Sequence, residues 1–122
     1  MAPADKYVLI VEDDKDIRDS LAQLLEDYGY EARVASNGRE ALDLLAEAPA
    51  PKLILLDLMM PVMDGSEFSK AASSRPQLAS VPICLVTASA RLPEGLPGVV
   101  AVLRKPMDPL ALIDIVQRHC DG

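Results

Sequence analysis

The chain has 122 residues, of which 50% are hydrophobic, 25% charged and 3% aromatic, with a formal net charge of −7 and an isoelectric point near 4.6. That length fits one domain able to bury roughly two-thirds of its unfolded surface. The acidity argues against direct, sequence-blind binding to nucleic acid or to an anionic membrane, both of which need basic patches.

No apolar run reaches the roughly 18 residues of a membrane span, and the amino terminus Met-Ala-Pro-Ala-Asp-Lys has no signal-peptide pattern. Cys84 and Cys120 form no Cys-x-x-Cys pair, and Cys84 sits in an apolar run where it reads as core filler. A reduced, cytoplasmic domain is the expectation.

Tyr7 to Val11 is an apolar, β-rich run that predicts a strand buried on both faces, and it ends in Glu12-Asp13-Asp14. Ile17, Leu21, Leu24, Leu25 and Tyr28 then recur at helical spacing, and Gly29 supplies a stop. Glu31 to Ala35 is a weaker strand. Asn37-Gly38 opens a second helix carrying Ala41, Leu42, Leu45 and Ala46, which ends before Pro49 and Pro51. Leu53 to Leu56 is the most apolar run, too short for a helix and suited to a central strand. Asp57 stands where that run ends, and Pro61 with Asp64-Gly65 turns the chain soon afterwards.

Ser66 to Ser74 predicts a third helix around Phe68, Ala71 and Ala72, closed by Pro76. Val81 to Val86 is a fourth strand ending in Thr87. Residues 88–98 hold two prolines and two glycines and read as loop with at most one helical turn. Val99 to Leu103 is a fifth strand, followed by Arg104-Lys105-Pro106. Asp108-Pro109 caps a last helix whose buried side is Leu112, Ile113, Ile115 and Val116. Strands alternating with helices through right-handed crossovers predict a parallel sheet covered on both faces.

In such a sheet the carboxyl ends of all strands lie along one edge, where ligands bind. Glu12, Asp13, Asp57, Thr87 and Lys105 all fall there. Three carboxylates so close repel one another unless a cation joins them, and Lys105 is the chain's own candidate. Hard oxygen donors with room for water suit Mg²⁺. A carboxylate is also a nucleophile able to form an aspartyl phosphate. Its new oxygens would need the metal, the Lys105 ammonium and the Thr87 hydroxyl.

Each residue also has a plainer reading. Asp13, Asp14 and Asp16 suit the start of the first helix, as caps or as solvated acids. Asp64 with Gly65 suits a turn and cap. His119 suits the carboxyl-terminal dipole of the last helix. Met59, Met60 and Met63 read as core filler.

The segments Val8-Leu-Ile-Val-Glu-Asp13, Leu55-Leu-Asp57-Leu-Met-Met-Pro61-Val-Met-Asp-Gly65, Val86-Thr87-Ala88 and Lys105-Pro106 resemble, in order, the receiver domain of bacterial two-component response regulators, the CheY-like family. The resemblance implies a flavodoxin-like, doubly wound α/β sheet of five parallel strands in the order 2-1-3-4-5, forming a single receiver domain over residues 1–122 with its core at about 6–120. It implies that Asp57 accepts phosphate from a sensor histidine kinase or phosphotransfer protein. It further implies that Asp13, Asp57 and the Met59 carbonyl bind Mg²⁺, with Glu12 acting through water. Thr87 and Lys105 would contact the phosphoryl group, and Lys105–Pro106 would be a cis peptide.

Two features depart from the family's pattern. Val102 stands where an aromatic is usual, and the segment from Thr87 to Lys105 is several residues short, at the expense of the fourth helix. A phosphorylation-controlled binding module that catalyses only its own phosphoryl transfer, with an unidentified downstream protein partner, is the leading expectation. Its signal would be reported by the loop itself, through Thr87 and Ala88. One rival is a constitutive protein-binding pseudo-receiver whose switch was lost with the aromatic. Another is a phosphoaspartate phosphatase of the haloacid dehalogenase kind, which would need a second acid where Met59 stands. A dinucleotide-binding protein is disfavoured because no Gly-x-Gly-x-x-Gly follows the first strand.

Overall fold

A short run of Leu and Ile cannot close enough helical turns to be stable, but as an extended segment it shows apolar side chains to both sides. In the computed structural model, which describes residues 7–60, 62–88, 91–92 and 94–120, this run is the strand β3 (Leu53–Leu56), buried at every position. It is flanked by β1 (Tyr7–Val11) and β4 (Ile83–Thr87), also buried throughout. The edges are β2 (Glu31–Ala35) and β5 (Val99–Arg104), giving the order β2-β1-β3-β4-β5. Every neighbouring pair is parallel, so the expected topology is the observed one.

Alternation along the strands divides the core in two. Leu9, Val11, Ile54, Leu56, Ile83 and Leu85 face α2 (Gly38–Glu47) and α3 (Gly65–Ser73). Val8, Ile10, Leu53, Leu55, Cys84 and Val86 face α1 (Lys15–Asp27) and α4 (Pro109–Cys120). Each fully buried Leu, Ile or Val removes enough apolar surface to favour folding by about 1.5–3 kcal/mol.

The helices start where their caps stand. The Asp14 carboxylate accepts from the backbone N–H groups of Asp16 and Ile17 at 2.9 and 3.1 Å. Asn37 does the same for Glu40 at 2.9 Å, and Asp64 and Glu67 close a reciprocal capping box. Asp14 and Asp64 are therefore caps, while Asp16 is an exposed acid in the first turn of α1. Gly29 at φ 87° ends α1, and Tyr30 N–H returns to the Leu25 carbonyl at 3.0 Å. Tyr28, expected on the apolar face, is instead the C-cap of α1 and 48% exposed.

One expectation needs correction at β5. Both faces were to be covered, yet burial along β5 alternates between half-buried and exposed. Ala101 and Leu103 pack towards α4, while Val100 and Val102 are 55% and 38% exposed. Among the described residues of the crossover from β4, 88, 91–92 and 94–98, none is helical, and Leu92, Gly95 and Leu96 leave an open pocket beside Val102. Pro61 and Pro93, two expected chain-turning residues, lie outside the described residues. The register shifts between Ile83 and Cys84, and Val100 is the extra residue of a bulge.

The crossover is tied at its far end. Ser69, fully buried in α3, donates its hydroxyl to the Pro97 carbonyl at 2.7 Å, and Gly98 turns at φ 78° so that its carbonyl accepts from Ile83 N–H at 2.8 Å. Among the described residues, no helix is long and apolar enough to cross a membrane. His119 lies half-buried on the rim by Lys52 and Ser80, at the amino-terminal end of the strands and away from Asp57.

Two outcomes follow from this packing. Cys84 is fully buried, and burial pushes its thiol up to about 11. The folded state thus keeps a proton that the unfolded chain releases around the ordinary thiol value of 9.0. Stability should fall as pH rises through that window and be unaffected by this group below it. Cys84 should react with iodoacetamide only as fast as the protein unfolds; prompt alkylation under native conditions would contradict its burial. Ser69→Ala leaves the half-buried Pro97 carbonyl without this donor and should cost about 1–2 kcal/mol, with faster amide exchange in residues 94–98.

Candidate functional site

The ladder between β1 and β3 continues one residue beyond the strands, where Asp57 N–H donates to the Val11 carbonyl at 3.0 Å. On the other side Glu12 N–H donates to the Ala35 carbonyl at 3.0 Å. Both side chains are thereby held by sheet backbone at the carboxyl edge. Glu12 and Asp57 are 2% and 6% exposed, whereas Asp13 is open to solvent. One carboxylate oxygen from each of Glu12, Asp13 and Asp57 lies within 4.8 Å of the others.

Such a group of anions is unstable without a cation, and Lys105 brings one. Its Nζ donates to Glu12 Oε1 at 2.6 Å and to Asp57 Oδ2 at 3.5 Å. The lysine follows β5, and its own N–H donates to the Thr87 carbonyl at 3.0 Å, which fixes the base of the side chain. Thr87 ends β4 and is fully buried. The bond from Lys105 to Pro106 is cis. The expected repulsion among the acids is therefore already relieved within the protein.

The titration behaviour has the same origin. Burial pushes the Glu12 carboxyl above its usual range, and hydrogen bonds from Lys105 and from Asp14 N–H only partly oppose this. For Lys105, burial works to lower the value, but the hydrogen bond to Glu12 and the charges of Asp57 and Glu12 prevail and raise it. A raised carboxyl loses folding stability as pH rises through it. A raised ammonium contributes stability in full below its unfolded value and loses it as pH rises through the folded one. At neutral pH Lys105 therefore offsets what ionised Glu12 costs.

Met59 needs correction. As a side chain it is not core filler, because it is 70% exposed where the chain leaves the sheet edge. Its backbone does fold onto the site, since Met59 N–H donates to Asp57 Oδ1 at 3.3 Å. Met60 is buried and Met63 half-buried against the core, as expected.

Arg18 was not singled out from the sequence, yet its Nη1 donates to the Glu12 carbonyl at 3.1 Å and pins the acidic turn. The only hint was its place on the helix that follows the acids. Glycine packing was equally hidden: a Cβ on Gly65 would stand 2.6 Å from the Asp57 carbonyl oxygen. The residues fit a hard divalent cation, since three carboxylates converge with one side left to water.

The chain matches the response regulator receiver domain over residues 8–117. It is 42% identical over 121 residues to an uncharacterised 14.6 kDa protein of Leptolyngbya boryana, with 96% of this chain and 92% of that protein covered. It is 44% identical over 81 residues to the sensory transduction protein RegX3 of Mycobacterium tuberculosis, covering 66% of this chain and 34% of that protein. In three dimensions it is similar to the chemotaxis protein CheY4 of Vibrio cholerae, with a TM-score of 0.84, 36% identity and 93% and 98% of the two chains covered. It is also similar to the receiver domain of a signal transduction histidine kinase from Syntrophus aciditrophicus, with a TM-score of 0.85, 31% identity and 96% and 91% coverage.

The electrostatic account has a direct test. Lys105→Ala removes the cation that bridges Glu12 and Asp57, and in metal-free buffer it should cost about 1–3 kcal/mol, less than for a fully buried pair because the lysine is partly solvated. Added Mg²⁺ should raise the melting temperature of this variant more than that of the wild type, since the metal then replaces the missing charge. Equal melting temperatures without metal would show that the bridge carries no stability.

Proposed function

Because the chain belongs to the response regulator receiver domain family, we propose that Asp57 is its phosphoacceptor and that phosphorylation there controls binding to a downstream protein. The observation that carries this reading is the position of Asp57: nearly buried at the end of the central strand, with Lys105 Nζ 3.5 Å from one oxygen. The partner supplying the phosphoryl group is a sensor histidine kinase or phosphotransfer protein, and the setting is cytoplasmic. The module spans 1–122 and catalyses only its own phosphorylation and dephosphorylation.

In the transfer, an Asp57 carboxylate oxygen attacks phosphorus while the bond from phosphorus to the donor's imidazole nitrogen breaks, and the leaving imidazole keeps the electron pair. Asp13 and Asp57, the Met59 carbonyl and, through water, Glu12 would hold Mg²⁺. When bound, that ion neutralises charge on the transferring phosphoryl oxygens. Lys105 moves its ammonium from the acids to a phosphoryl oxygen, a strong charge-assisted contact. Thr87 donates its hydroxyl to another oxygen, and the sheet backbone keeps Asp57 in line. A shift of Thr87 draws Ala88 and the crossover with it, which passes the signal to the exposed Val100 and Val102 of β5.

A groove of about 590 Å³ opens beside Lys105 and is lined by Ile17, Leu21, Leu24, Val86, Pro106 and Met107. A donor that reaches Asp57 would cover this apolar surface, which makes it the docking face in this reading. The phosphatase alternative lacks its second acid, since Met59 occupies that position. The constitutive alternative draws on Val102, a half-exposed side chain with no ring to swing.

Intact mass after incubation with acetyl phosphate and Mg²⁺ separates these readings. One phosphoryl group should add to the wild type, none with chelator and none to Asp57→Asn. An Asp57→Asn protein that still gains a phosphoryl group would sink the assignment. A wild type that stays unmodified would favour the constitutive module.

A further inference from the structure

The loop between β3 and α3 carries Met59 and must hold one shape for its carbonyl to serve the site. Its two ends are tied to each other, because Gly65 N–H donates to the Leu58 carbonyl at 3.0 Å. Val62 takes φ 69°, a left-handed backbone that a β-branched residue avoids. Such a conformation persists only where its surroundings impose it.

The restraint comes from α2. Gly38, the first residue of that helix, donates its N–H to the Met63 carbonyl at 3.1 Å. This N–H is among the helix-end donors that have no partner within the helix, so the loop supplies it. The Met63 side chain lies over the same glycine: a Cβ at position 38 would stand 2.8 Å from Met63 Cγ and 3.0 Å from its carbonyl oxygen. Gly38 is not in the left-handed region, so alanine is allowed there by its backbone. Intrinsic helix propensity favours alanine over glycine. The contact with Met63 is what demands glycine.

We infer that Gly38 is a positioning residue for the Asp57 site: the amino terminus of α2 clasps Met63 and so sets the β3–α3 loop that presents the Met59 carbonyl. This rests on the metal reading proposed above. The clasp lies on a different helix from any residue placed in the site, and it acts through backbone position rather than charge.

Gly38→Ala is the test, read by Mg²⁺ titration of the metal-free protein with backbone amide shifts as the signal, together with thermal melting. Outer-shell changes typically weaken metal binding by 10–100-fold, and Gly38→Ala should lower Mg²⁺ affinity by about tenfold while shifting the Met59 and Gly65 amides before any metal is added. Met63→Ala added to it removes Cγ and should bring affinity back to within about threefold of wild type. Wild-type affinity and unmoved Met59 shifts in Gly38→Ala would overturn the proposal. So would a defect that Met63→Ala does not repair, including a Gly38→Ala protein that fails to fold and whose double variant fails as well. A wild type that binds no Mg²⁺, or binds it unchanged after Asp57→Asn, would instead overturn the metal reading and this inference with it.

Discussion

The structure turns on holding three carboxylates together at one end of a sheet. Glu12 and Asp57 are buried there by the same backbone ladder that makes the sheet, so they cannot escape into water. Lys105 relieves the clash by reaching both, at 2.6 and 3.5 Å. The same three carboxylates could hold a metal ion, which would add to the neutralisation that the ammonium supplies.

Everything around the cluster serves its placement. The central strands are apolar on both faces, which buries them and brings their ends to one edge. Arg18 holds the turn after β1 by the Glu12 carbonyl. Gly65 lets the start of α3 close onto the Asp57 backbone, where any side chain would collide. Met59 N–H donates to Asp57 Oδ1, so the loop after β3 is tied to the Asp57 side chain. These contacts run through backbone atoms, which explains why they depend on glycine and on exact spacing more than on side-chain chemistry.

The crossover side is built differently. With no helix among the described residues of the crossover, the partly buried Leu92, Leu96 and Val99 pack against the α2–α3 core, and Val100 and Val102 remain exposed on β5. Ser69 anchors the far end of the segment to α3, and Thr87 stands at its near end. The crossover is therefore held at two points, one of which borders Asp57.

The sequence by itself determined the alternation of strands and helices, the parallel sheet and the five polar groups at its carboxyl edge. Period and punctuation are local properties: apolar runs of strand length, caps such as Asn37 and Asp64, and the stop at Gly29 act within a few residues. That the described residues of the crossover hold no helix was legible for the same reason, because proline and glycine act where they stand. Only the tertiary structure decided that Lys105 pairs with Glu12 more closely than with Asp57, that Met59 is exposed, that Val100 and Val102 of β5 stay exposed, and that Gly38 must admit Met63. Each of these depends on which distant backbone arrives beside the residue, and burial and contact across the fold carry no signature in local spacing.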